Sequence, residues 1–343
     1  DNTAIGAYAF DAGTGADNTA VGSGALGGAS NSGANNTAMG KNAGNGISTG
    51  NHNALFGHNA GGALTTGAYN VAIGSLALDA QTTVSNNTAV GYAALTVNTT
   101  GASNTAVGYY ALVANTTGAG LVAVGTAALD ANTTGNYNTA LGSAALGANT
   151  TASNNTALGY GSLTVNTTGA NNTAVGANSL DENTTGDANT AVGLSALNAN
   201  TTADNNTGVG YNSLGSNTTG ASNTAVGAAA LSTNSTANSN TAVGYNALNA
   251  NTTGANNTAI GAGAADLQTT ASGNVAIGAA ALDANTTGDS LVAIGYRALS
   301  ANTTAHYNVA VGKDTLRLNT TGTNNTALGF GTMDANTTGS NNT

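Results

Sequence analysis

The sequence predicts an all-β fold, a parallel β-solenoid of twenty 17-residue rungs. Three observations predict it: a repeat that covers almost the whole chain, an alternation of β-branched and small residues inside it, and a composition that excludes most other classes. Aligned on Asn-Thr-Ala-Val-Gly, units start at 2, 18, 36, 53, 70, 87, 104, 121, 138, 155, 172, 189, 206, 223, 240, 257, 274, 291, 308 and 325. Every step is 17 residues except the first two, 16 and 18, which cancel, so residues 2 to 341 make twenty units. A well-formed unit reads NTAVGYAALTVNTTGAS, from Asn87 to Ser103.

Positions 2 to 5 of the unit carry the strand. Position 4 is apolar in all twenty units, from Ile5 to Leu328, and position 2 is almost always Thr or Val. Position 3 is nearly always Ala and position 5 is Gly in all twenty, from Gly6 to Gly329. With a period of two, positions 2 and 4 point one way and positions 3 and 5 the other. Position 9 is Leu in fifteen units, with Phe10 and Met333 as substitutes, and supplies a second apolar anchor. Positions 12 to 15 read Asn-Thr-Thr-Gly or Asn-Thr-Thr-Ala, a polar turn. Each rung is expected to hydrogen-bond its neighbours and to bury its Val or Ile and its Leu under the next rung. Stacked about 4.8 Å apart, twenty rungs predict a rod of roughly 96 Å.

Two glycine positions have different meanings. Position 15 admits Ala152, Ala203, Ala237, Ala271 and Ala305, so it calls for compactness, whereas position 5 admits no alanine and calls for a Gly-only dihedral or a close backbone approach. A helical repeat fails as an alternative, because helix-pair repeats run to about 33 residues or more and strong helix formers such as Glu, Lys and Arg are scarce here. The chain divides into degenerate rungs over 1–86, read as a cap or transition, and the regular solenoid over 87–343. The first part lacks the Asn-Thr-Thr turn, puts Gly44 and Gly61 where Leu is expected and places Phe56 at position 4.

Composition narrows the function. Only 18 of 343 residues are charged, 14 acidic and 4 basic, which is too few for an ordinary enzyme surface, while 40 % hydrophobic content argues against disorder. Lys41, Arg297, Lys313 and Arg317 are the only Lys or Arg, so the chain does not bind nucleic acid by neutralising a run of phosphates. The most apolar window, Leu121 to Leu129, is interrupted by Gly125 and Thr126 and falls short of the about 20 residues of a spanning helix, so no membrane insertion is expected. With no Cys, disulfides and thiolate metal sites are excluded. The chain opens without an initiator Met or signal peptide and reads as a mature product or a window of a longer polypeptide.

At the residues Asn-Thr-Ala-Val-Gly-x-x-Ala-Leu the chain resembles the head repeats of trimeric autotransporter adhesins, and also the Asn/Thr-rich repeats of bacterial and phage fibre proteins that end in an endosialidase-type chaperone domain. The resemblance spans the whole chain and implies a left-handed parallel β-roll, a homotrimer, and work as a cell-surface or virion fibre. The unit departs from the adhesin head in being longer, and no membrane anchor or chaperone domain is present in the sequence. Read from the residues alone, the Ala/Gly face at positions 3 and 5 either lets a second chain approach closely or packs against the opposite wall of its own narrow solenoid.

The candidate sites follow the repeat. Asn98, Asn115, Asn132, Asn149, Asn166, Asn183, Asn200, Asn217, Asn234, Asn251, Asn285, Asn302, Asn319 and Asn336 occupy position 12, each in an N-x-[ST] sequon, with Gln268 breaking the row. They predict either a ridge of covalent glycans or an Asn ladder that hydrogen-bonds along the stack. A second sequon series at position 17, including Asn86, Asn154, Asn171, Asn205, Asn256 and Asn324, overlaps the strand and reads as structural. Asp266 and Asp283, in adjacent rungs at position 10, either share a Ca²⁺ between their oxygen ligands or are solvated corners that keep the rod soluble. Tyr92, Tyr109, Tyr160, Tyr211, Tyr245 and Tyr296 recur at position 6, where they either stack on sugar rings or cover a strand edge. His52, His58 and His306 share no register, and a chain this repetitive offers no irregular constellation for catalysis, so no catalytic residue is expected. The expectation is a non-enzymatic extracellular fibre or stalk that needs no cofactor and self-associates as a homotrimer or filament. The alternatives are an adhesin or receptor-binding fibre that recognises host or surface glycans, and an ice-binding solenoid.

Overall fold

The computed structural model describes residues 1–343 except Ala29. It is all-β, a parallel β-solenoid with 17-residue spacing, and among the described residues no helix is long and apolar enough to cross a membrane. The chain divides into two compact units, Asp1–Asn171 and Asn172–Thr343. The first holds ten three-residue strands, from β1 (Thr3–Ile5) to β10 (Thr156–Leu158), and the second holds ten more, from β11 (Thr173–Val175) to β20 (Thr326–Leu328).

Within each unit every strand pairs in parallel with the strand of the next rung, and residues of the same repeat position face each other. Thr88, Ala89 and Val90 sit opposite Thr105, Ala106 and Val107 in the first unit. Thr190, Ala191 and Val192 sit opposite Thr207, Gly208 and Val209 in the second. The ladder continues beyond the strand. Leu95 N donates to Ala111 O at 3.0 Å, Ala114 N to Asp130 O at 3.1 Å and Thr99 N to Thr116 O at 2.9 Å, so nearly the whole rung is hydrogen-bonded to the next. This is why one rung cannot stand alone: its backbone groups find their partners only in a neighbour.

The interior differs from the sequence expectation in one respect. Position 3 points inward: Ala20, Ala89, Ala140, Ala191 and Ala242 are all 0 % exposed. Position 4 points outward, as the exposed Ile73, Leu158 and Ile260 show, so the Val and Ile side chains are not buried under the next rung. The physical reason is width. The interior already holds the fifteen buried Leu of position 9 and a buried Ala, Ser or Thr at position 8 in almost every rung, which leaves room for a methyl group at position 3 and nothing larger. Of the two readings of the Ala/Gly face, the structure therefore takes packing inside the chain's own solenoid.

Position 5 meets both demands expected of it. Its glycines have φ between +119° and +141°. A Cβ on Gly142 would stand 2.2 Å from Gly159 O and 2.6 Å from Gly159 C in the next rung. Position 15 keeps an ordinary backbone, since none of its Gly or Ala residues has positive φ. Position 9 holds the unexpected feature: its Leu side chains are buried on a left-handed backbone, φ 50° at Leu197 and 57° at Leu282. Such a backbone costs roughly 1–2 kcal/mol per L-residue, and burial of the side chain, worth about 1.5–3 kcal/mol, offsets it.

Rungs within 1–86 keep the same plan through compensation. Where Gly44 and Gly61 replace Leu at position 9, Ile47 and Leu64 replace Asn at position 12 and are buried at 0 % and 1 % exposure. Leu55 at position 3 fills the remaining space, since a Cβ on Gly44 would lie 2.7 Å from its Cδ1. Phe56, at position 4, lies on the half-exposed outer side of its strand, Ala54–Phe56.

Candidate functional surface

The position-12 asparagines form a ladder inside the solenoid. In the first unit Asn115 Nδ2 donates to Asn98 Oδ1 at 3.0 Å, Asn132 to Asn115 at 2.8 Å, Asn149 to Asn132 at 2.8 Å and Asn166 to Asn149 at 3.1 Å. The second unit repeats this from Asn200 onto Asn183 at 2.9 Å through Asn217, Asn234 and Asn251. It resumes from Asn302 onto Asn285 at 3.0 Å, then Asn319 and Asn336. Each of these amides also donates to the position-15 carbonyl of its own rung, as Asn98 does to Gly101 O at 2.8 Å. Thirteen of the fourteen are 0 % exposed, Asn336 in the last rung being the exception. The nitrogen that an N-glycan would require is thus buried and donates twice, a geometry that favours the ladder over the glycan at position 12.

A second ladder, which the sequence reading gave no role, runs along position 1. Asn87 Oδ1 accepts from Asn104 N at 2.9 Å, and Asn87 Nδ2 donates to Gly101 O at 3.1 Å. Both asparagines of a rung therefore clamp one carbonyl and close the loop. The signal was available, since position 1 is Asn in eighteen of twenty units, with Leu121 and Leu291 as the buried exceptions.

Gln268 interrupts the position-12 ladder. Gln268 is a methylene longer than the Asn it replaces; its Nε2 donates to Ala271 O at 3.1 Å and makes no bond to Asn251. Asn251 Oδ1 is left buried without a partner.

Outside, each unit presents columns of positions 2, 4 and 6: Thr or Val, then Val, Ile or Leu, then a mixed column that includes the tyrosines. Tyr92, Tyr160, Tyr211 and Tyr245 are 44, 67, 60 and 64 % exposed. Tyr92 and Tyr109 stack on each other, centroids 5.6 Å apart at 17°, so each covers a face of the other. Lys313 Nζ lies 5.9 Å from the Tyr296 ring centre and 5.6 Å from that of Phe330, a cation–π contact along the same column. At the opposite corner Thr99 Oγ1, at position 13, donates to the next rung's carbonyl at 3.0 Å. The neighbouring position-14 row, fifteen threonines from Thr100 to Thr338, is exposed and its hydroxyls make no hydrogen bond among the described residues.

The position-17 asparagines lie at exposed corners with left-handed backbones, φ 65° at Asn86 and 60° at Asn205. Asp266 and Asp283 are half-buried; burial raises the pKa of both carboxyls, and the Asp283 charge raises that of Asp266 further. Among the described residues no three His, Cys, Asp or Glu come together, so the pair has no third ligand of that kind. His306 Nδ1 accepts from Asp289 N at 2.9 Å, and His52 stacks on Tyr69 with centroids 5.0 Å apart. Compared with family models and with curated proteins, the sequence matches none.

Proposed function

We propose that the chain is a non-enzymatic structural fibre or stalk that works outside the cell and associates with copies of itself through the outward face of positions 2, 4 and 6. The observation that carries this reading is the contrast between the two sides of the strand. Inside, the repeated polar groups are almost all laddered and the rung is closed. Outside, an almost uncharged face repeats from rung to rung, with exposed apolar residues such as Ile73, Leu158, Leu194 and Ile260. Ten strands at about 4.8 Å and three columns about 7 Å apart give roughly 650 Å² of footprint per unit. That approaches the roughly 800 Å² per partner of a stable protein interface. The test places one lysine per unit on the face, Val107→Lys with Val192→Lys, and compares sedimentation. The parent chain is expected to sediment as an assembly and the variant as a single chain with unchanged circular dichroism; a parent that is monomeric at every concentration contradicts the reading.

A second reading, an ice-binding solenoid, is favoured by the row of fifteen unbonded position-14 hydroxyls. Thermal hysteresis measures it directly, and its absence removes it. An adhesin function predicts saturable binding on a glycan array; the mutual stacking of Tyr92 and Tyr109 weighs against these two rings serving as an open sugar platform.

A further inference from the structure

We propose that the position-17 asparagines, Asn35, Asn86, Asn154, Asn171, Asn205, Asn256, Asn324 and Asn341, are acceptor sites for N-linked sugar, and that the buried position-12 sequons are not. Three observations lead there.

The first is presentation. All eight are exposed, with φ between 55° and 65°. Their backbone is anchored, as by Asn86 N to Ala68 O at 3.1 Å and Asn205 N to Asp187 O at 3.1 Å. Their side-chain amides are uncommitted apart from a long contact of Asn324 to Thr323 Oγ1 at 3.4 Å. The second is the whole motif. Each is followed by the position-1 Asn and then by Thr at position 2, which lies half-exposed or exposed on the outward face, as Thr88 and Thr156 do.

The third is that the sequon is complete wherever its Asn occurs. Six rungs have Val or Ala at position 2, and the residues two places before are His52, Tyr69, Gly120, Gly273, Ser290 and Tyr307. In none of the six does Asn stand at position 17 without its Thr. At position 12 the threonines have a structural use of their own. Where Leu64, Gln81 and Gln268 replace its Asn, the Thr pair persists as Thr65-Thr66, Thr82-Thr83 and Thr269-Thr270. Those threonines are kept for the turn, where Thr65 Oγ1 donates to Thr82 O at 2.8 Å. The position-2 Thr likewise persists without Asn two places before it, as Thr105 and Thr190 do, so exposure of the amide, and not the pairing of the two residues, distinguishes the position-17 series.

The step is a substitution at the anomeric carbon of a sugar activated as its pyrophosphate ester, carried out by a separate transferring enzyme. Asn Nδ2 forms the N–C1 bond, the C1–O bond to the pyrophosphate breaks, the pyrophosphate leaves with its electron pair, and one Nδ2 proton passes to a base of that enzyme. The product would coat a surface that has only 18 charges with which to stay dispersed.

Glycopeptide mapping of the full chain from its own source tests this, beside folded recombinant chain treated with a soluble sequon-dependent N-glycosyltransferase and UDP-glucose. Sugar is expected on position-17 peptides and not on position-12 peptides. Thr88→Ala should remove it from Asn86, and Asn86→Gly should do so while relaxing the backbone, whereas Thr100→Ala, which destroys the Asn98 sequon, should change nothing. Sugar at position 12, or none at position 17, overturns the proposal. A bare chain that still sediments as an assembly overturns it while leaving the fibre reading standing.

Discussion

The fault at Gln268 offers a gain of stability from a single repaired hydrogen bond. In the regular ladder each Oδ1 accepts from the next rung, as Asn234 does from Asn251 Nδ2 at 2.9 Å. Asn251 Oδ1 has no such partner, and a buried unsatisfied acceptor costs about 1–3 kcal/mol. Gln268→Asn restores the donor. It removes one buried methylene, worth about 0.8 kcal/mol, and loses the 2.9 Å bond that Gln268 Oε1 accepts from Asn274, whose Nδ2 still donates to Gly288 O at 2.7 Å. The net for the single change is a gain of about 0–2 kcal/mol. The same rung has Ala265 at position 9 on the φ 52° that Leu adopts elsewhere, so Ala265→Leu adds buried apolar surface without new strain. The double variant should gain about 2–5 kcal/mol. Because rungs contact only their neighbours, the gain is local, and hydrogen exchange over 250–286 with the thermal midpoint is the appropriate assay. Exchange there unchanged or faster in the double variant would refute the reasoning.

Other perturbations read other parts of the rung. Gly142→Ala puts a Cβ 2.2 Å from Gly159 O at φ 138°, and should cost at least about 3 kcal/mol, seen as loss of exchange protection in the rungs around it. Gly61→Leu combined with Leu55→Ala and Leu64→Asn exchanges the compensated set for the regular one and should be better tolerated than Gly61→Leu alone, which overpacks against Leu55 and should lower the thermal midpoint. Burial raises the carboxyl pKa of Asp79, Asp130, Asp266 and Asp283 above 3.8. The folded chain therefore holds these protons more tightly than the unfolded chain does. Their contribution to stability should be full below pH 3.8 and fade as pH rises through the raised values, so the fourfold Asp→Asn variant should show a flatter thermal midpoint against pH in that window.

The period, the strand at positions 2 to 4 and the demand for Gly at position 5 were legible because repetition multiplies a weak signal twenty times. The direction of the strand faces was not. Alternation says that Thr88 and Val90 share a side and Ala89 takes the other, but hydrophobicity alone assigns the inside to Val90. Size decides instead: beside the buried Leu95 only Ala89 fits. The left-handed backbone at Leu95 had no signal in residue type, since Leu gains nothing locally from φ 54° and is held there by the buried position of its side chain. For the sequons, the N-x-[ST] pattern at Asn98 and at Asn86 is equivalent as text. Burial separates them: Asn98 has no exposed surface, while Asn86 stands at an open corner.

The inward Ala and outward Val are the central claim, and the absence of cysteine from the sequence makes it directly measurable. Single-cysteine chains Ala191→Cys and Val192→Cys, at a dilution where the chain sediments singly, are to be treated with a thiol reagent before and after unfolding. Val192→Cys is predicted to react in the native state and Ala191→Cys only after unfolding. A protected residue 192 beside a reactive residue 191 would contradict the account.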